Sequence, residues 1–187
     1  LIDAIEKTIP TPERDETEKP VMHVARSFDI NRPGTRPAKL RGGVIGGSII
    51  SGEFKVGDEI EIGPGRKVQQ GSKTHWEPIV AEISSMQGGG LTLETMHAGG
   101  LCGLATKLDP AITTSDNLSG QVVALKGHLP ETRSNVAISV HLMESMVSAD
   151  GSNADKIQPL RNNEMLMVNV ATATSVGVTK GAEKTKT

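Results

Sequence analysis

The residues of this sequence best suited to chemistry are Thr106-Lys107-Leu108-Asp109, which have the [NT]KxD form that reads a guanine base. Such a segment binds a nucleotide only together with a phosphate loop, whose backbone N–H groups and Lys hold the phosphates. The nearest candidate, Gly71-Ser72-Lys73-Thr74, lacks a glycine directly before Lys73 and has Lys67 where the first glycine belongs. The sequence also contains no DxxG. We therefore expect Thr106 to Asp109 to form a strand end and a turn.

Other catalytic and metal-binding patterns are absent from the sequence. The five histidines show no HxH or HxxxH spacing, although His97 beside Gly99-Gly100 could line a site. No serine lies in a GxSxG context. The single cysteine, Cys102, cannot form an internal disulfide or a multi-cysteine zinc site, and we expect it to be a small buried hydrophobe. The sequence gives no support for catalysis or metal binding by this chain alone.

Composition and charge limit the kinds of partner. Aromatic content is 2%, with no Tyr, which predicts an aliphatic core and argues against binding single-stranded nucleic acid by stacking bases on exposed rings. Residues 21–75 carry nine Lys/Arg and five Asp/Glu, whereas the segments on either side are acidic. This asymmetry is compatible with a polyanion partner or simply with a solvated face. No apolar run approaches the roughly 20 residues needed to span a bilayer, so we expect a cytoplasmic protein.

The elements that position these residues are predicted from hydrophobic periodicity. Leu1, Ile2, Ile5 and Ile9 fall at helical spacing, so the chain opens in the end of an amphipathic helix, followed by a charged linker. From residue 21 the period is two, with Met22, Val24, Phe28 and Ile30 predicted on one face. This change of period indicates a β domain after the linker.

The stretch 42–62 is predicted to be a hairpin of two strands that meet at Gly52. Glycines 42, 43, 46 and 47 suit either barrel corners or the close approach of another chain. Residues 66–77 are predicted to be a polar excursion, and further strands are expected at 78–83, 101–105 and 118–125. The pattern predicts a small antiparallel barrel or sandwich, with an incomplete second unit whose strands lie at 136–142, 166–170 and 176–178 and a polar loop at 148–154.

Several of these segments together resemble one family. They are Arg26-Ser27-Phe28-Asp29-Ile30-Asn31-Arg32-Pro33-Gly34, Gly42-Gly43-Val44-Ile45-Gly46-Gly47-Ser48-Ile49, Lys55-Val56-Gly57-Asp58-Glu59-Ile60-Glu61-Ile62, Gly99-Gly100-Leu101-Cys102-Gly103 and Gly120-Gln121-Val122-Val123. In order and spacing they resemble the gamma subunit of archaeal and eukaryotic translation initiation factor 2, in its archaeal form. The first segment is specific to that subunit, and the second and third are shared more loosely with elongation factor Tu and its relatives.

The resemblance implies an all-β fold of two consecutive antiparallel β-barrels of the translation-factor type, the second incomplete, preceded by the end of a helix. Residues 1–20 would be the end of a GTPase-domain helix and linker, 21–126 the second domain and 127–187 part of the third. The family implies GTP and magnesium in the parent protein, none in this chain, and delivery of methionylated initiator tRNA to the small ribosomal subunit with alpha and beta subunits. The expected chain is a fragment without the GTPase domain, so we do not expect it to hydrolyse GTP alone.

The resemblance also implies a pocket for the aminoacyl end of the tRNA on the first barrel. The matching positions are Arg41, Gly42, Gly43, Ser84, Ser85, Met86, Gln87, Gly99 and Gly100. Bare glycine backbone and an apolar wall formed by Met86 would suit a base and an ester, and Gln87 could hydrogen-bond the adenosine. The basic loop, defined by Arg32, Arg36, Lys39 and Arg41, is expected to contact tRNA phosphates or an acidic partner surface.

Two other functions stay open at this point. The barrel could be an interaction module whose main task is to dock the alpha subunit. The chain could also belong to a related tRNA-carrying elongation factor, although the selenocysteine-specific factor lacks the segment from Ser27 to Gly34.

Overall fold

The computed structural model describes residues 1–10, 17–143 and 157–181. By its contacts the chain forms two units, one of residues 1–132 with 171–173 and one of residues 133–170 with 174–187. In the first unit a short helix, α1 (Ile2–Thr8), comes before the β domain and buries none of its residues. The predicted end of a helix is therefore present. No helix among the described residues is long and apolar enough to span a membrane.

A closed antiparallel barrel dominates the first unit. Nine strands of this unit are β1 (Val21–Phe28), β2 (Val44–Ser51), β3 (Glu53–Lys55), β4 (Glu59–Gln70), β5 (Lys73–Gly88), β6 (Leu91–Leu93), β7 (Thr95–His97), β8 (Leu101–Thr106) and β9 (Val122–Leu125). The sheet order is β4-β9-β1-β2-β8-β5-β6, and pairing of β4 with β5 closes six of these strands into a barrel. A short helix, α2 (Pro110–Thr113), follows β8. The predicted all-β fold is confirmed.

The core of the barrel is aliphatic, as the composition predicts. Its fully buried side chains include Phe54, Met22, Ile45, Ile60 and Leu104, each 0% exposed. They come from β1, β2, β3, β4 and β8, so they fill the barrel from several sides. Burial of side chains of this size contributes about 1.5–3 kcal/mol each, which makes this cluster the main source of stability.

The predicted inward face of β1 is wrong after residue 24. Met22 and Val24 are buried, but the pairing with β2 shifts between Val24 and Arg26. An extra residue in one strand moves every later side chain to the other face. Ser27 consequently points inward and is 1% exposed, while Phe28 is 41% exposed.

The predicted hairpin across Gly52 is also wrong. Gly52 does turn the chain, with φ +61°, but β2 pairs with β1 and β8, whereas β3 pairs with β7. An added Cβ at Gly52 would lie 2.3 Å from the carbonyl oxygen of Glu18, so the turn is packed against the preceding segment. The glycine therefore passes the chain from the barrel into a separate two-stranded sheet.

Residues 66–77 form regular structure, which the sequence did not predict. The outer half of β4 pairs with the first half of β5 as a two-stranded ribbon, from Arg66 opposite Glu77 to Gln70 opposite Lys73. The pairing shifts between Ile62 and Arg66, where the barrel ends and the ribbon begins. Cross-strand hydrogen bonds satisfy this polar backbone even where no core is available.

The second unit contains one hairpin among its described residues. Its strands are β10 (Met165–Val170) and β11 (Ala173–Val178), as predicted at 166–170 and 176–178. The strand predicted at 136–142 is absent: these residues have no regular structure, and Val136 and Ile138 are 72% and 69% exposed. The polar loop predicted at 148–154 lies outside the described residues.

Candidate functional site

The first group of predicted site residues, Arg41-Gly42-Gly43, lies where β2 meets the end of β8. The Gly43 N–H donates to the Leu108 carbonyl at 3.0 Å, and the Gly43 carbonyl accepts from the Thr106 N–H at 3.0 Å and the Thr106 hydroxyl at 2.7 Å. A Cβ at Gly42 would lie 1.9 Å from the Thr106 carbonyl oxygen. Both glycines are thus required by internal packing, and the backbone of Gly43 is already hydrogen-bonded.

The second group, residues 84–87, contains a bulge of β5. Pairing with β8 shifts between Ile83 and Ser85, so Ile83 and Met86 both point inward although they are three residues apart. Met86 is 0% exposed and belongs to the core, so in this structure it presents no apolar wall to a ligand. Ser84 and Gln87 are exposed and Ser85 is half-buried, which leaves three polar side chains available on the barrel surface.

The third group, Gly99-Gly100, comes directly before β8. The Gly99 N–H donates to the Ile49 carbonyl at 3.1 Å. Gly100 is exposed, has φ +66°, and has open space around an added Cβ. The two glycines therefore turn the chain into β8, and Gly100 requires glycine for its backbone angle.

The structure separates these groups along β8. Arg41-Gly42-Gly43 and Ser85 lie near Ala105, at the end of the strand, whereas Gly99-Gly100 lie before its first residue. At about 3.4 Å per residue the two ends are roughly 17 Å apart. The predicted site residues therefore lie at two places along β8 and not at one point.

Between the two ends lies a feature that the sequence analysis missed. Gly46 of β2 is directly opposite Gly103 of β8, and Gly103 is in turn opposite Gln87 of β5. On the other side Gly46 pairs with Arg26 of β1. In-register residues share a face, and Arg26 and Gln87 are exposed, so this row lies on the outside of the barrel. We call it the trough: a floor of two glycines on β2 and β8, with Arg26 of β1 beyond one edge and Gln87 of β5 beyond the other.

The floor glycines of the trough differ from the other strand glycines. Added Cβ atoms at Gly46 and Gly103 have their nearest neighbours at 3.7 Å and 4.0 Å, and neither residue has a positive φ. At Gly47, by contrast, the Cβ would lie 1.9 Å from the His23 carbonyl oxygen. Neither internal packing nor backbone angle requires glycine at Gly46 or Gly103, and their effect is to leave the outer surface bare.

The side chain of Arg26 is held in place by Asp116. Asp116 Oδ1 accepts from Arg26 Nε at 2.8 Å and from the Ser27 N–H at 2.9 Å. The hydrogen bond from Arg26, followed by that from Ser27, lowers the pKa of Asp116 below its ordinary value of 3.8. Arg26 remains largely exposed, so its guanidinium is positioned and can still approach an anion.

The basic loop is closed at its base by one side chain. Asn31 Oδ1 accepts from the Arg41 N–H at 2.8 Å, and Asn31 Nδ2 donates to the Arg41 carbonyl at 2.7 Å. Within the described residues no acidic side chain pairs with the exposed cations of the loop, which are Arg32, Arg36, Lys39 and Arg41. The loop therefore presents unpaired positive charge from a fixed base.

The residues with the guanine-reading form have structural roles, as predicted. Thr106 is the last residue of β8, and the side chain of Asp109 accepts from the Ala111 N–H at 2.9 Å as the N-cap of α2. Cys102 is buried, as predicted, and burial raises the pKa of its thiol to about 11. Among the described residues no group of three or more His, Cys, Asp or Glu side chains is arranged to hold a metal ion.

Two family profiles match different parts of the chain. Residues 42–124 match elongation factor Tu domain 2, which covers most of the closed barrel. Residues 134–187 match the family described as initiation factor eIF2 gamma, C terminal. The two matches occur in the order that the resemblance of the sequence implies.

Longer relatives of known name agree with these two family matches. The chain is 52% identical over 186 residues to translation initiation factor 2 subunit gamma of Methanococcus maripaludis, covering 100% of this chain and 45% of that protein. It is 51% identical to the protein of that name from Methanocaldococcus jannaschii and 47% identical to that of Thermococcus onnurineus, in each case over 44% of the relative. The chain thus spans under half the length of these relatives. It belongs to the family of the gamma subunit of translation initiation factor 2.

Proposed function

We propose that this chain is the part of an archaeal initiation factor that holds the aminoacyl end of methionylated initiator tRNA and docks the alpha subunit. The whole protein would bind GTP and magnesium, assemble with alpha and beta subunits, and deliver the tRNA to the small ribosomal subunit in the cytoplasm. The identity of about 50% to proteins named as this subunit supports the parent function. No guanine nucleotide site is proposed for this chain.

The observation that carries the assignment to this chain is the bare floor of the trough. A flat base or ester can approach a sheet closely only where side chains are missing, and Gly46 and Gly103 leave that space without being required by packing. Arg26 and Gln87 supply a cation and an amide at its sides. Arg26 and Gln87 lie three strand spacings apart around a six-stranded barrel, so a base or ester on the glycine floor would contact one of these two side chains at a time.

The experiment introduces Gly103→Val into a protein of full length. The segment of the Methanococcus maripaludis relative that matches this chain is replaced by this chain, and binding of methionylated initiator tRNA is measured. Val is a favourable strand residue, and 4.0 Å of clearance lets the barrel fold. We expect the variant to retain GTP and the alpha subunit and to lose at least tenfold in tRNA affinity, because its side chain occupies the floor.

Gly181→Val is the matched control. Its added Cβ also meets nothing within 4 Å, and Gly181 belongs to the second unit. A folded Gly103→Val protein with normal tRNA affinity would contradict the proposal for the trough. Loss of the alpha subunit with retention of tRNA would instead assign this face to subunit docking.

A further inference from the structure

The ribbon of residues 66–77 projects from the barrel. It contributes no residue to the barrel core or to the trough. Its five cross-strand pairs extend over about 14 Å, and residues 69–76 are all exposed. A two-stranded hairpin without a packed face is only marginally stable in water. Such a ribbon gains stability when a partner covers one of its faces.

The base of the ribbon is fixed to the barrel by a side-chain amide. Gln121 Oε1 accepts from the Gly65 N–H at 2.8 Å, and Gln121 Nε2 donates to the Gly65 carbonyl at 3.2 Å. Gly65 has φ +88°, and a Cβ there would lie 1.8 Å from the Glu77 carbonyl oxygen. The ribbon therefore leaves the barrel in a defined direction, which is what a recognition element requires.

The two faces of the ribbon differ. On one face Glu77 accepts from Arg66 Nη2 at 3.1 Å and interacts with His75 Nε2 at 3.3 Å, so its charge is compensated internally. On the other face Lys67 lies directly opposite Trp76, which is 50% exposed. In the part of the chain that the structure describes, Lys67 has no acidic partner. An exposed indole ring thus lies beside one unpaired cation, whereas Lys73, three residues from Trp76, belongs to the opposite face.

The chemistry of this face favours RNA over protein as the partner. The ribbon has a formal charge of +2, and Lys67 is the charged residue of its Trp76 face. The large apolar side chain of that face is Trp76 alone, whereas a protein interface has an apolar centre depleted of charge. Stacking of a base on an indole ring beside phosphate-binding lysines is the usual arrangement for single-stranded nucleic acid.

We propose that the Trp76 face of the ribbon binds single-stranded RNA, with one base stacked on the indole ring and a neighbouring phosphate contacted by Lys67. Lys67 lies directly opposite Trp76 on the same face, so its flexible side chain reaches a phosphate next to the stacked base. The low aromatic content argues against stacking of many bases, but the 50% exposed Trp76 leaves one ring available for one base. The contact is independent of base sequence, lies outside the trough and does not rest on the proposed tRNA function.

The test uses the fact that Trp76 is the sole tryptophan of the chain. Its fluorescence is followed while the chain is titrated with an oligouridylate of about 12 nucleotides, a length within the range bound by single-strand modules. We expect saturable quenching, with an affinity that falls with salt at a slope of about −0.7 for one phosphate. Absence of saturable quenching overturns the proposal. Quenching by an acidic peptide of equal charge but not by RNA overturns it in favour of a protein partner.

Variants separate stacking from charge, with a labelled oligonucleotide as the probe. Trp76→Ala is expected to weaken binding about tenfold, and Trp76→Phe by less than about threefold, since it keeps a ring. Lys67→Gln should make the salt slope shallower by about 0.7, whereas Lys73→Gln, on the opposite face, should change it less. Lys126→Gln, which removes an equally exposed lysine paired with Glu59, is the control and should leave the slope unchanged. Equal effects of Lys126→Gln and Lys67→Gln would overturn the proposal, and so would unchanged binding by Trp76→Ala.

Discussion

Two glycines on neighbouring strands should respond oppositely to the same substitution to alanine. At Gly47 the added Cβ would lie 1.9 Å from the backbone carbonyl oxygen of His23, which cannot rotate away. Strand β1 would have to move by more than 1 Å, and overpacking of this kind costs about 3 kcal/mol. At Gly103 the nearest atom is 4.0 Å away, so alanine adds no clash and reduces the entropy of the unfolded chain, a gain of about 0.4–1 kcal/mol.

The difference of about 3.5 kcal/mol is measurable by urea unfolding followed by circular dichroism. With a urea dependence of about 2 kcal/mol/M, Gly47→Ala should lower the midpoint by about 1.5 M and Gly103→Ala should raise it slightly. Because both variants have the same composition, the comparison isolates the space around each Cβ. A Gly47→Ala midpoint within about 0.3 M of the wild type, or a Gly103→Ala midpoint lowered by more than about 0.5 M, would refute the reasoning.

Four further outcomes are expected. Met86→Ala should cost about 2–5 kcal/mol in unfolding free energy, since Met86 is fully buried; a cost below about 1 kcal/mol would place it at the surface. Asp116→Asn should flatten the fall in the urea midpoint between about pH 5 and pH 3, because a carboxylate of lowered pKa stabilises above its ordinary value of 3.8 and loses that effect as it is protonated; an unchanged pH profile would contradict this. Replacing the four cations of the basic loop by alanine in the full-length hybrid should make the salt slope of tRNA binding shallower by about 3, and an unchanged slope would count against phosphate contacts. The chain alone should bind neither GTP nor GDP, and saturable micromolar binding of a fluorescent guanine nucleotide would disprove this.

The sequence predicted strands more reliably than it predicted which way their side chains face. The alternation of Met22 and Val24 predicts that Phe28 also faces the core. A bulge near Ala25 instead turns the later side chains of β1 to the opposite face. A second bulge, before Ser85, turns the side chain of Met86 into the core, which periodicity alone does not predict. A bulge depends on the pairing partner and has no composition signal of its own, so periodicity in a single strand does not detect it.

Partners that are distant in sequence explain the remaining differences. The clean alternation at 136–142 predicts which side chains would share a face but not whether a neighbouring strand is present, and the structure has none there. Gly46 and Gly47 are adjacent and look equivalent in the sequence. They differ only in what lies against the missing Cβ, which is the His23 carbonyl for Gly47 and open surface for Gly46. The candidate site could therefore be anticipated as a glycine-rich region, while its floor required the register of β2 and β8.

The clamp between Asn31 and Arg41 makes the basic loop an exchangeable module. Because one side-chain amide ties the two ends together, the residues between them can change in number and charge while the barrel stays fixed. Doubling the length of such a loop costs only about 0.6 kcal/mol in closure entropy. Related barrels can thus acquire a different polyanion-binding surface by changes within ten residues, and grafting a loop onto Asn31 and Arg41 offers a direct route to altered partner specificity.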